Sequence, residues 1–233
     1  ILLFFTANLS AQTPELIVPA GHGDQVYLAK FSADGKYLFS VGTGAKAVKI
    51  WDTKTGRLLK NLAVDNYPTC MQISADSKTI MIGTKKEVYF FAFPSFKLLH
   101  KKNEGVQDAV AGGNKLYALF VESGSAFHIS AIDLSAFSEK VIYKDAAGSA
   151  ELISLSPGGD ELFIGATFTT KILNIATGTI THSKEQQPGQ VVIGYTPAGN
   201  IFGFNFSVKK KGDMVSVPEL SDGSTLASLL NFN

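Results

Sequence analysis

Four histidines, one cysteine and scattered carboxylates are the residues of this 233-residue chain whose types could do chemistry. His22, His100, His128 and His182 stand far apart, and no HxH, HxxxH or Cys/His spacing joins them. A zinc site whose ligands come from one short segment is therefore not expected. Cys70 lies beside Met71 in an apolar stretch, where a thiol reads as a small buried hydrophobe rather than a nucleophile. It has no second cysteine to pair with. There is no Gly-x-Ser-x-Gly elbow. Gly112-Gly113 follows no strand–helix order, so it reads as a turn and not a phosphate cradle. No catalytic constellation emerges, and no cofactor is expected. Lys46, Lys85, Lys86 and the run Lys209-Lys210-Lys211 all fall between apolar stretches. They have two readings: a charged rim that attracts an acidic partner, or solvated hairpin tips that discourage edge pairing.

The elements that must position these residues are strands. Apolar residues make up 45% of the chain and charged residues 18%, with a net charge of +1. Nothing in that balance points to nucleic acid or an acidic membrane surface as the partner, and neither is expected. Seventeen Phe and seven Tyr against one Trp suit strands covered on both faces. No stretch keeps a helical period. Turn signals recur instead: Ser32-Ala33-Asp34-Gly35-Lys36, Ser74-Ala75-Asp76-Ser77-Lys78, Gly112-Gly113-Asn114-Lys115, Ser156-Pro157-Gly158-Gly159-Asp160 and Thr196-Pro197-Ala198-Gly199-Asn200. Asp34 and Asp52 read as turn residues that bond their own backbone. The run Ile1–Phe5, followed by small and polar residues to Ala11, reads as the end of a signal peptide over 1–11 that has lost its start. It is too short to span a membrane.

Trp51, Phe91, Ile132, Leu173 and Val217 end equivalent strands at intervals of about 40 to 44 residues. Each interval reads as four strands: 26–31, 36–41, 46–51 and 57–64 in the first, then 68–73, 78–83, 86–93 and 96–101. The third reads 106–111, 114–120, 126–133 and 138–144; the fourth, 150–155, 160–166, 170–175 and 179–184; the fifth, 190–195, 199–206, 213–217 and 225–230. The stretch Gly21–Gly56, with Gly21-His22, Phe31-Ser32-Ala33-Asp34-Gly35 and Trp51-Asp52, resembles a WD40 repeat, one blade of a β-propeller. The expected fold is thus all-β, with about five four-stranded antiparallel blades at 21–65, 66–103, 104–146, 147–186 and 187–233. The resemblance implies that His22, Ser40 and Trp51 form a buried hydrogen-bonded set. It also shows a departure: Gly44 stands where the family carries a turn aspartate.

In WD40 propellers an N-terminal strand completes the last blade, and Leu16–Val18, within 12–20, sits where such a strand would lie. The fifth unit already supplies its own fourth strand. The expectation is an incomplete ring, part of a protein that is seven-bladed when whole and a monomer once closed. The resemblance further implies a non-catalytic scaffold that binds a protein or peptide. The signal-peptide pattern at 1–11, whose Ser-Ala-Gln ending resembles bacterial signal peptides, gives the expectation of an exported bacterial protein, periplasmic or secreted. The rival class is a propeller enzyme, lactonase-like or quinoprotein-like, or a propeller beside a separate catalytic domain. Gln25, Asp108 and Glu151, at the starts of inner strands, are the residues such an enzyme would use around the channel.

Overall fold

The computed structural model describes residues 21–205 apart from 123–125, 167, 186–189, 197 and 200. Its first sheet runs β1 (Val26–Phe31), β2 (Tyr37–Gly42), β3 (Ala47–Asp52) and β4 (Leu58–Ala63). The second runs β5 (Pro68–Ile73), β6 (Thr79–Thr84), β7 (Val88–Ala92) and β8 (Leu98–Lys102). The third runs β9 (Asp108–Gly112), β10 (Lys115–Val121), β11 (Phe127–Asp133) and β12 (Glu139–Asp145). The fourth runs β13 (Leu152–Leu155), β14 (Glu161–Gly165), β15 (Thr169–Asn174) and β16 (Thr179–Glu185). A fifth opens with β17 (Gln190–Tyr195) and β18 (Ile201–Asn205). Within each sheet every strand pairs antiparallel with the next along the chain. Neighbouring sheets meet through their first strands: β1 touches β5, β5 touches β9, β9 touches β13 and β13 touches β17.

The two-residue period of a strand explains why both faces of the middle strands are apolar. In β6, Ile80 and Ile82 pack with Phe39, Val41, Val48 and Ile50 of the first sheet. Met81, between them, packs with Leu116, Ala118 and Phe120 of the third. The third seam repeats the scheme, Leu119, Phe127 and Ile129 lying with Ile153, Leu162 and Ile164. The core is therefore a series of seams between blades, each fed by alternate residues. A fully buried phenylalanine such as Phe90 contributes about 1.5–3 kcal/mol to such a seam.

The turn between the first two strands of a blade is a local device. Ser32 Oγ donates to Asp34 Oδ1 at 2.6 Å, and Ser74 Oγ to Asp76 Oδ1 at 2.6 Å. Ser156 Oγ donates to Asp160 Oδ1 at 2.8 Å. Gly35 takes φ 69° in the first of these turns, the left-handed region glycine enters at no steric cost. Some strands start later than their apolar pattern suggests. Val106 is buried, but its N–H donates to Thr84 O of the preceding blade at 2.8 Å, so it serves the seam and the ladder of β9 begins at Asp108. Among the described residues the ring is not closed. The strands expected at 213–217 and 225–230, Leu16–Val18 and the segment 1–11 lie outside the described residues.

Candidate partner-binding rim

His22, Ser40 and Trp51 come together. His22 Nε2 lies 2.7 Å from Ser40 Oγ, and Trp51 Nε1–H donates to the same oxygen at 2.7 Å. Burial, followed by the charge of Lys49, lowers the His22 pKa, so the neutral ring is favoured and suits this bonded role. A Cβ on Gly42 would stand 2.7 Å from His22 Nδ1, so the ring takes the space that glycine leaves. Gly44, where the family carries an aspartate, lies against the Asp24 carboxylate. An acidic group thus stands at that turn, supplied from two residues beyond His22. Asp34 and Asp52 are turn brackets, as their bonding shows. Asp34 Oδ1 accepts from Ser32 and Lys36 N–H, and Asp52 Oδ1 accepts Thr55 N–H at 2.7 Å.

Lys46 lies in the β2–β3 turn, and Lys85 and Lys86 in the β6–β7 turn. The connection from β4 to β5 lies beside both turns. Val64 N–H donates to Lys46 O at 2.9 Å, and Asn66 Nδ2 donates to Glu87 Oε2 at 2.6 Å. Tyr67, on the same connection, is 55% exposed. The Lys46 ammonium stands 5.5 Å from its ring centroid, within cation–π range. The nearby carboxylates are already engaged. Asp65 takes Lys101 Nζ and the Tyr89 hydroxyl, each at 2.8 Å, and Lys101 before Tyr89 holds it below the usual carboxylate range. Glu87 takes Asn66 and the Thr84 hydroxyl. Lys85 and Lys86 make no ion pair among the described residues. Lys209, Lys210 and Lys211 lie outside the described residues.

The inner-strand candidates have structural partners. Asp108 Oδ2 accepts Ile153 N–H of the next blade at 2.9 Å, and Oδ1 accepts Ala109 N–H at 2.8 Å. Burial raises its pKa. Gln25 contributes its backbone, its carbonyl accepting Thr43 N–H at 2.9 Å, and Glu151 is exposed. Cys70 is 4% exposed, and burial pushes its thiol up to about 12, which leaves no thiolate at neutral pH.

A further group was invisible to local spacing. Glu104, His128 and Glu139 bring one ligand atom each to within 4.8 Å of one another. Glu104 comes from the β8–β9 connection, His128 from β11 and Glu139 from β12. The signal that could have found them is the register of strands, not any motif.

No protein-family model and no curated protein matches the sequence. Solved structures do share its architecture. Hydrazine synthase of Kuenenia stuttgartiensis superposes with a TM-score of 0.69 at 14% identity, over 88% of this chain and 65% of that one. The chain therefore spans just under two thirds of that protein's length. The β-propeller domain of Cps50 (Swd1) from Myceliophteria thermophila gives a TM-score of 0.64 at 17% identity, over 85% of this chain and 72% of that one. The fold is a β-propeller. Identities this low carry the architecture alone. No helix among the described residues is long and apolar enough to cross a membrane.

Proposed function

We propose that this propeller is a non-catalytic interaction scaffold, WD40-like in its blades, and that its rim takes an acidic peptide or protein segment. The observation that carries the reading is Tyr67. It is an exposed aromatic ring with the Lys46 ammonium over it. It is joined through Asn66 and Glu87 to the turn that holds Lys85 and Lys86. An aromatic anchor among cations whose neighbouring carboxylates are already bonded is the kind of centre from which a few residues supply most of the affinity. The bonding of Asp108 favours this over a channel enzyme, since both of its oxygens accept backbone N–H groups. The apolar run at 1–5 supports export, and an exported scaffold would meet an envelope or extracellular partner.

A fluorescein-labelled Glu-rich peptide tests the rim by anisotropy. Saturable binding is expected at low salt, weaker as salt rises. The triple variant Lys46→Glu, Lys85→Glu, Lys86→Glu should lose tenfold or more, and Tyr67→Ala several-fold. Equal binding by wild type and the triple variant would overturn the proposal.

A further inference from the structure

The turn between the third and fourth strands of each four-stranded sheet holds one left-handed residue at the same place. Gly56, Phe96, Phe137 and Gly178 take φ 69°, 57°, 52° and 70° there, and their N–H groups donate to the carbonyls of Asp52, Ala92, Asp133 and Asn174. In the second and third blades that residue plugs the seam with the blade before. The Phe96 ring packs on Phe93, whose ring meets Tyr37 and Phe39 of the first blade at 4.7 and 5.6 Å between centroids. The Phe137 ring meets His100 and Phe90 of the second blade at 5.3 and 5.1 Å. The fourth blade brings no such ring, because Gly178 has no side chain and a Cβ there would stand 2.7 Å from Ile142 O. The third blade leaves further room. Its Ala131 holds the strand position of Ile50 and Phe90, which fill the first two seams.

The seam between the third and fourth blades accordingly opens into a cleft of about 650 Å³, a size that takes a small molecule. Tyr117, Ala131, Ile142 and Ile175 give it an apolar wall. Most of its charges are already matched. Glu139 pairs with Lys102. Lys115 lies across the ladder from Asp133, and the Ser135 hydroxyl, then backbone N–H groups and Lys115, hold that carboxyl below its usual range. Two charges remain, Lys140 on the third blade and Asp160 on the fourth. The Ser156 hydroxyl bonds Asp160, but neither Lys140 nor Asp160 makes an ion pair among the described residues. The cleft opens at the strand ends opposite the turns of Lys46, Lys85 and Lys86, so it stands whether or not that rim takes an acidic peptide.

We propose that this cleft binds a free aromatic amino acid. Its ring takes the space that phenylalanine rings take in the two earlier seams, against Tyr117 and Ile142. Its carboxylate goes to Lys140 and its ammonium to Asp160. A ligand of one charge would meet a like charge on the opposite wall, whereas a zwitterion meets an opposite charge on each.

Isothermal titration of the purified chain with L-tryptophan tests this. The expected result is saturable binding of one molecule per chain. N-acetyl-L-tryptophanamide, which keeps the ring and loses both charges, should bind tenfold weaker or worse, and L-leucine should give no comparable heat. Lys140→Met, at an exposed site, should weaken tryptophan about fivefold and leave N-acetyl-L-tryptophanamide unchanged, a split that loss of structure cannot produce. Ala131→Phe, which restores the ring that Phe90 supplies in the second blade, should abolish binding with the thermal midpoint retained. No saturable binding of tryptophan at millimolar concentration would overturn the proposal. So would equal affinity for N-acetyl-L-tryptophanamide or leucine, or wild-type binding by Ala131→Phe.

Discussion

Ser40 shows how much one oxygen can carry. It accepts the Trp51 N–H and lies in hydrogen-bond contact with His22, each at 2.7 Å, while only 4% of the residue is exposed. Ser40→Ala leaves both rings without that partner and should cost about 1–3 kcal/mol, read as a lower urea midpoint; Ser40→Thr should recover most of it. The turn carboxylates set the acid limit. The Ser32 hydroxyl, then the Lys36 amide, lowers Asp34 from 3.8 to about 2. A carboxyl whose folded pKa lies below its unfolded one stabilises fully above the unfolded value, and that stability is lost as pH falls through the folded one. The thermal midpoint should therefore drop between pH 3.8 and about 2, and Asp34→Asn should flatten that limb. Asp34 was legible in sequence because its partners lie two positions away; His22 and Trp51, 18 and 11 positions from Ser40, were legible through the resemblance to a WD40 repeat. Asp24 was not, because its carboxylate reaches a turn about twenty residues on.

Strands and turns were the most legible level, because a short repeat punctuated by turn residues is local information. Edges were less so wherever an apolar residue serves a neighbouring blade, as Val106 does. Gly105 marks a related constraint. A Cβ there would run into the Lys85 carbonyl, so the β8–β9 connection lies against the backbone of the β6–β7 turn. Backbone cannot rotate away as a flexible side chain can. Gly105→Ala should therefore cost about 1–3 kcal/mol, seen as a lower midpoint in chemical unfolding. Gly56→Ala, at φ 69° with nothing within 4 Å, tests backbone strain alone and should cost about 1 kcal/mol.

At the scale of the whole molecule, the blades are joined at their inner edge by side chains that bond backbone. Tyr27 Oη donates to Pro68 O, Gln72 Nε2 to Ala109 O, Asp108 accepts Ile153 N–H at 2.9 Å, and Ser154 Oγ accepts Tyr195 N–H at 3.2 Å. Asp108→Ala frees the Ile153 amide, whose hydrogen exchange should speed at least tenfold while amides within β6 keep their protection. No sequence pattern announces these joints, since Tyr, Gln, Asp and Ser share no type and the acceptors and donors are main chain. In every case the side chain belongs to the earlier blade and the backbone to the later one. A unit copied in tandem therefore brings its own half of this inner-edge bonding, which asks of the unit that follows only an open main-chain group. Where such an array grows by duplication, these joints carry over unchanged, and only the apolar seams ask for side chains matched across the new junction.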